Sequence, residues 1–225
     1  MTSLADHKPI KLGLNYLFKN DPVFSTLDKK ALGVFTRTKK DDGYASLIGA
    51  ILGQQVSIAA ARSMWAKLQS VTNDTVSPRK VHKLSDDELR ACGFSRQKIT
   101  YARGLTSAVL DKTFIPDALP DLPDEAVIAE ITALKGFGVW SAQMYLIFSL
   151  GRPDVWPAGD LGVQIGAQYY LRKKERPDYK LTEKLGDRFV GRRTAAALLL
   201  WDLKAVREAE LKAEPKTKSK TKSKT

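Results

Sequence analysis

Residues for metal binding and disulfide formation are scarce in this chain. Its 225 residues include one cysteine, Cys92, and two histidines, His7 and His82. A single cysteine excludes an intrachain disulfide, and it excludes the cysteine sets that hold zinc or an iron–sulfur cluster. Two histidines leave little for a histidine-rich metal site. The cysteine count indicates a protein of a reducing compartment.

Long apolar runs are also missing. The longest, such as 195–201, fall far short of the roughly 20 residues that span a bilayer. The N-terminal sequence MTSLADHKPIKLG lacks the apolar stretch of a signal peptide. We therefore expect a soluble, intracellular protein without a membrane partner. Nothing in the sequence requires more than a monomer.

Positive charge is in excess. The chain has 37 Lys and Arg against 25 Asp and Glu, a formal net charge of +12. Residues 211–225 hold six lysines and one glutamate and so supply +5, which leaves +7 for the rest. A basic body with a basic tail favours a nucleic-acid partner. The low-complexity tail is expected to be disordered, and it either adds salt-sensitive affinity or is inert.

Alternating strand patterns are scarce, and the apolar periodicity is helical almost throughout. With 43% hydrophobic residues the chain can build a sizeable core, so the sequence predicts an all-α protein. Helices are predicted over 44–53, 57–68, 85–93, 95–112, 124–134 and 139–150, from 160 onward, and over 192–209.

The most informative segment is LKGFGVWSA, residues 134–142, which joins two predicted helices. Gly136 and Gly138 lack a Cβ atom, so a bulky anion can approach their N–H groups closely. The positive end of the helix that begins near Val139 then favours a phosphate group. The alternative is an ordinary helix–turn–helix corner that needs glycine for its dihedral angles.

An aspartate follows twenty residues after Trp140, in the segment PAGDLG of residues 157–162. An aspartate at a helix start is usually an N-cap and nothing more. Backbone N–H groups and the helix dipole would nevertheless hold Asp160 ionised, as a base or a charge-stabilising group must be.

Four segments together resemble the helix–hairpin–helix DNA glycosylase superfamily. Within it, the chain is similar to the 3-methyladenine DNA glycosylase II family in the short form without an N-terminal β domain. The segments are ILGQQVS at 51–57, GFSRQK at 93–98, the hairpin at 134–142, and GRPDVWPAGD at 151–160. Their order and spacing fit, so the resemblance covers about residues 8–208.

The resemblance implies one glycosylase domain over residues 1–210, with an active-site cleft between two lobes. The central lobe would span about 46–150, and the second would combine about 8–45 with 151–208. The hairpin and Asp160 should face each other across the cleft.

The resemblance also implies a chemistry. Asp160 would be the catalytic carboxylate of a monofunctional glycosylase that removes alkylated purines of the 3-methyladenine and 7-methylguanine type from damaged double-stranded DNA. Relatives with lyase activity carry a nucleophilic lysine two residues after the second hairpin glycine, where this chain has Trp140. We therefore expect no strand cleavage. Trp140, with Met144 one turn later, would line the base pocket; the alternative for Trp140 is a core aromatic.

Other residues of the matched segments have implied roles in DNA binding. Gln55 would fill the gap left by the flipped nucleotide, unless Gln54 and Gln55 only satisfy backbone groups between two helices. Arg96 and Lys98 would join Gly136, Gly138 and Val139 in binding phosphate, or would lie on a solvated face. The basic clusters at 39–40, 172–174 and 192–193 are expected to attract DNA only diffusely.

No cofactor is required by this chemistry. By resemblance, a monovalent cation, Na⁺ or K⁺, would bind the backbone carbonyl oxygens of Leu134, Gly136 and Val139.

Two other functions stay open. One is a non-catalytic binder of distorted or damaged DNA, and the other is a glycosylase for oxidised or deaminated bases. Several positions depart from the residues usual in the family, which leaves the lesion range open: Lys135, Phe137, Met144 and 191–194.

Overall fold

The computed structural model describes residues 3–38 and 43–213, with side chains as far as Glu210. The predicted basic cluster at 39–40 and tail residues 214–225 lie outside the described residues. In the described part the only β-pairing is an isolated bridge between Ser3 and Thr38, and the predicted all-α class is confirmed. No helix in this part is both long enough and apolar enough to cross a membrane.

Eleven α-helices make up the described part of the chain. They are α1 (Lys8–Asn20), α2 (Tyr44–Gly53), α3 (Ile58–Val71), α4 (Pro78–Lys83), α5 (Asp86–Ala91), α6 (Arg96–Leu110), α7 (Asp124–Thr132), α8 (Val139–Tyr145), α9 (Leu161–Tyr170), α10 (Tyr179–Leu185) and α11 (Arg193–Ala213). Short 3₁₀ turns connect several of them.

Local capping explains several of the helix starts. Ser57, Ser95 and Asp160 each accept a hydrogen bond from a backbone N–H in the first turn of α3, α6 and α9. Before α5, Ser85 and Glu88 form a complete capping box. These boundaries follow from the sequence because the capping residues are adjacent to the helices that they begin.

The helix predicted over 139–150 is interrupted. The α-helical hydrogen-bond pattern ends at Tyr145, and Leu146–Leu150 form a π-helical turn that stops at Gly151 with φ 70°. The last helix extends to Ala213, past the predicted limit at 209 and into the segment that was expected to be disordered.

Buried apolar side chains form two cores. One draws on residues between Tyr44 and Val155, and the other on residues 4–34 together with 163–203. Phe148 and Trp201 pack against both, with ring centroids 5.7 Å apart. The molecule is therefore two-lobed, and these two aromatic rings lie where the lobes meet.

Helices α9 and α11 pack at very short range in the second core. A Cβ atom at Gly166 would lie 2.1 Å from the carbonyl oxygen of Leu200, so only glycine permits this approach. Helix α9 begins just after Asp160, and α11 carries Trp201. The close packing of these helices therefore brings Trp201 to the N-terminus of α9.

Candidate active site

Asp160 is the N-cap of α9, and its carboxylate is held by three donors. Its Oδ1 accepts hydrogen bonds from the backbone N–H of Val163 at 2.9 Å and from the indole Nε1 of Trp201 at 2.7 Å. Its Oδ2 accepts one from the indole Nε1 of Trp140 at 2.7 Å. All three donors are N–H groups, and no side-chain donor other than the two indoles contacts the carboxylate among the described residues. The arrangement fixes the carboxylate in one orientation and stabilises its negative charge.

The two indoles differ in their surroundings. Trp201 is partly buried and stacks on Phe148 between the two cores. Trp140 is 49% exposed, and Val139, which precedes it, and Leu161, which follows Asp160, are each 55% exposed. These apolar side chains close to the carboxylate are accessible from solvent. The partner in this site is therefore expected to meet Trp140 first.

Trp201 was missed by the sequence reasoning. It lies 41 residues after Asp160 in an Ala- and Leu-rich helix, where a tryptophan is expected to be a core residue. No local motif marks it, because its contact with Asp160 is created by the packing of α9 on α11. Met144, by contrast, follows Trp140 by one helical turn and is half-buried against the first core. Its predicted place in a base pocket stays a prediction.

Hydrogen bonds and an ion pair hold the loop before Asp160 at two places. The side chain of Arg152 donates to the carbonyl oxygens of Pro120 and Leu122 and pairs with Asp124 at 3.2 Å. The hydroxyl of Thr194, in the first turn of α11, accepts from the backbone N–H of Val155 and donates to the carbonyl of Arg152. These contacts hold residues 152–155 against both lobes and so fix the approach to Asp160.

The predicted hairpin joins α7 to α8. Gly136 has φ 96°, and a Cβ atom there would lie 2.3 Å from Cγ of Tyr101 on α6. Gly138 precedes α8 without a side-chain cap, and a Cβ atom there would have no neighbour within 4 Å. The first glycine is thus required by packing and backbone conformation. The second leaves an open backbone surface at the start of α8.

The turn between α2 and α3 lies against this hairpin. The side-chain amide of Gln54 donates to the carbonyl oxygen of Gly136 at 2.9 Å. Gln55 is exposed and has φ 55°, in the left-handed region that non-glycine residues rarely adopt. The structure therefore joins two of the segments that the sequence singled out.

Arg96 and Lys98 have different surroundings. Arg96 is exposed in the first turn of α6. Lys98 is only 8% exposed, and its Nζ donates to the carbonyl oxygen of Leu52 near the end of α2 at 2.7 Å. Burial lowers the pKa of Lys98 below its usual value. The prediction that Lys98 binds phosphate is therefore corrected: its ammonium points inward and holds the end of α2.

The carbonyl oxygens of the predicted cation site are placed by the structure, and the site stays a prediction. The carbonyl of Gly136 accepts from Gln54, the carbonyl of Leu134 accepts from the backbone N–H of Phe137 at 3.1 Å, and Val139 belongs to the first turn of α8. Two of the three oxygens thus each accept one protein hydrogen bond, and we assign no step to a cation. Among the described residues no group of His, Cys, Asp and Glu side chains is suited to a metal ion either.

The basic clusters are partly engaged in structural contacts. The guanidinium of Arg192 lies 3.8 Å from the ring centroid of Tyr16, and Arg193 pairs with Asp154 and Asp187. Residues 172–174 are exposed.

Two surface concavities, of about 250 and 340 Å³, lie away from Asp160, one beside Arg152 and the other beside Arg188.

Comparison with known proteins gives a consistent result. The family model described as "HhH-GPD superfamily base excision DNA repair protein" matches residues 48–192. A curated relative, DNA-3-methyladenine glycosylase 1 of Schizosaccharomyces pombe, is 34% identical over 167 residues, which cover 72% of this chain and 73% of the relative.

Two solved structures resemble the whole fold. The S. pombe 3-methyladenine DNA glycosylase Mag1 in complex with abasic DNA gives a TM-score of 0.75 at 30% identity, covering 84% of this chain and 95% of that one. DNA-3-methyladenine glycosidase from Bacillus halodurans gives 0.74 at 28% identity, covering 92% and 93%.

Proposed function

The chain belongs to the HhH-GPD superfamily of base excision DNA repair proteins, and we propose that it excises alkylated purines from DNA and leaves an abasic site. The observation that carries this proposal is the carboxylate of Asp160, fixed by the indoles of Trp140 and Trp201 beside an exposed apolar surface. The names of the relatives support the same activity, since they are 3-methyladenine glycosylases.

The chemistry suits a site with one carboxylate. Alkylation at N3 or N7 makes a purine cationic, so the base can take the electron pair of the N-glycosidic bond and leave neutral. Positive charge then develops on the sugar, and the fixed anion of Asp160 stabilises it and orients the attacking water. The exposed face of Trp140 offers a π surface on which an electron-poor purine can stack. The flipped nucleotide needs no general acid for this reaction.

The DNA partner would be held through its backbone. The uncapped start of α8 at Gly138 and Val139 offers N–H groups to a phosphate, and exposed Arg96 adds a cation. These contacts are independent of the base sequence of the DNA, as expected of an enzyme that must search long stretches of double-stranded DNA. One chain supplies the carboxylate, the hairpin and the Gln55 turn, so we propose a monomer that acts on DNA inside the cell.

Strand cleavage is not part of the proposal. A lyase needs an amine that can form a Schiff base with the sugar. Trp140 stands at the place of that amine, and among the described residues the carboxylate of Asp160 has no lysine partner. Borohydride added during turnover should therefore trap no covalent protein–DNA adduct.

Replacing the carboxylate tests the proposal. Asp160→Asn keeps the size of the side chain but removes its charge, so release of 7-methylguanine from methylated duplex DNA should fall about a thousandfold. Binding to a duplex with an abasic-site analogue should persist, because the hairpin and Arg96 are unchanged. Asp111→Asn, the same change at an exposed helix end, should leave release unaffected.

The result distinguishes the other two functions. A wild-type protein that binds damaged duplex but releases no methylated base would be a binder of distorted DNA. Release of 8-oxoguanine, uracil or hypoxanthine in place of methylated purines would identify a glycosylase for oxidised or deaminated bases. Undiminished release by Asp160→Asn would remove Asp160 from its role.

A further inference from the structure

Two side-chain hydrogen bonds join the turn between α2 and α3 to other segments. Before the turn, the buried ammonium of Lys98 donates to the carbonyl of Leu52 at 2.7 Å. Within the turn, the amide of Gln54 donates to the carbonyl of Gly136 at 2.9 Å. Lys98 belongs to α6, and Gly136 belongs to the hairpin. The turn is thus joined to two elements that are distant from it in sequence.

Gln55 lies between these contacts and the start of α3 in a strained conformation. A non-glycine residue in the left-handed region is disfavoured because its Cβ atom crowds the backbone, and it persists only where neighbouring contacts hold it. The side chain of Gln55 itself is exposed. The strain therefore does not serve core packing, and it directs an exposed side chain out of the turn.

Helix α6 also supports the hairpin. The ring of Tyr101 lies directly against Gly136, where a Cβ atom would approach within 2.3 Å. Lys98 and Tyr101 are three residues apart on α6, so one helical face contacts both the α2 end and the hairpin. The amide of Gln54 completes this arrangement because it joins the turn to the hairpin directly.

We propose that Gln54 is a positioning residue that holds Gln55 at a fixed place relative to the hairpin. This inference rests on the proposed function, in which the hairpin binds a phosphate, and on the role that the family resemblance implies for Gln55, which is to fill the gap left by the flipped nucleotide. With the link intact, a phosphate bound at Gly138 sets where Gln55 meets the duplex. Without the hydrogen bond from Gln54 to Gly136, the hairpin still binds DNA, but the strained turn can relax. Gln55 then no longer has a fixed position relative to the hairpin.

The inference separates base flipping from bond cleavage. Duplex DNA requires the gap to be filled, whereas a base in single-stranded DNA is already unpaired. Gln54→Met removes the amide and keeps the length of the side chain. Its single-turnover release of 7-methylguanine should fall about tenfold on duplex DNA, in line with a lost hydrogen bond and a displaced group. Release from single-stranded DNA should match the wild type.

A fluorescent base provides an independent readout. With 2-aminopurine placed next to an abasic-site analogue, the unstacking signal on binding should be smaller for Gln54→Met at equal occupancy. Gln97→Met is the matched control, because the amide of Gln97 donates to the hydroxyl of Tyr101 within α6 and joins no two segments. It should behave as the wild type on both substrates. If Gln54→Met does not fold, Gln54→Asn shortens the same amide and should give the same duplex-specific loss.

Each outcome decides one question. Equal loss on duplex and single-stranded DNA would show a merely structural role for Gln54 and overturn the inference, as would no loss on either. A wild-type protein that releases methylated bases from neither substrate would contradict the proposed function instead.

Discussion

At the scale of single residues, the arrangement around Asp160 gives each carboxylate oxygen its own indole donor. Oδ2 faces the exposed Trp140, and Oδ1 faces the half-buried Trp201. About half of the surface of Trp140 is exposed. Trp201 is stacked on Phe148 at the junction of the two cores. In the proposed reaction, the hydrogen bond from Trp201 would therefore hold Asp160 while Trp140 meets the base.

Replacing Trp201 by phenylalanine tests this division. Trp201→Phe keeps an aromatic ring against Phe148 and removes the N–H that donates to Asp160. A hydrogen bond to a charged group contributes about 1.5–3 kcal/mol, so single-turnover base release should fall by at least tenfold. Affinity for abasic duplex should stay close to that of the wild type.

Trp65→Phe is the control for this substitution. Trp65 lies on α3 and packs against the first core, with Gly49 beside it. Both variants lose one indole N–H, but only Trp201→Phe changes the environment of the carboxylate. Equal rates for the two variants would mean that Asp160 needs no donor from α11.

Sequence reasoning reached Asp160 and Trp140 because each lies in a short local motif. The structure then brought their side chains within 2.7 Å of each other. The contact of Trp201 with Asp160 and the inward position of Lys98 could not be predicted from the sequence, for a common reason. Whether a tryptophan or a lysine on a helix turns inward depends on a partner that is distant in sequence, Asp160 for one and the Leu52 carbonyl for the other. Residue type alone favoured the surface for Lys98.

At the scale of elements, helices were predictable where the boundary signal was local. Ser85 with Glu88 and Ser95 each mark the start of a helix that the structure contains. The short helices α4 and α10 were not predicted. Each has only six or seven residues, and so few turns give too little apolar periodicity to recognise.

The two hairpin glycines allow a paired test of this element. Gly136→Ala would place a Cβ atom 2.3 Å from Tyr101 in a backbone with φ 96°, so the variant should lose about 3 kcal/mol of unfolding free energy. Gly138→Ala meets no atom within 4 Å and should change stability by less than about 0.5 kcal/mol. Urea unfolding measures both values.

The same pair separates stability from DNA binding. A methyl group at Gly138 would project from the exposed start of α8, where the phosphate is proposed to bind, so affinity for duplex DNA should fall severalfold in a fully folded protein. Unchanged affinity of Gly138→Ala would place the phosphate contact elsewhere.

At the scale of the whole molecule, the two cores and the charge serve different purposes. The cores meet at Phe148 and Trp201, next to the carboxylate, so the lobes must stay together for Asp160 to keep its donors. Arg152 and Thr194 add polar contacts across the same junction. The net charge of +12 acts over a longer range and brings DNA to the protein whatever its sequence.

Removing residues 214–225 tests the long-range contribution. The segment carries five lysines and one glutamate, so its removal lowers the net charge from +12 to +8. Each phosphate neutralised contributes about 0.9 to the slope of log affinity against log salt concentration. Affinity for undamaged duplex should therefore become weaker and less dependent on salt. Base release at saturating protein should not change, since Asp160 and its donors are untouched. If charge is the cause, a full-length variant with these five lysines replaced by glutamine should show the same weaker and less salt-dependent affinity as the truncated protein.

A salt dependence equal to that of the wild type in both variants would show that the tail makes no contact with DNA.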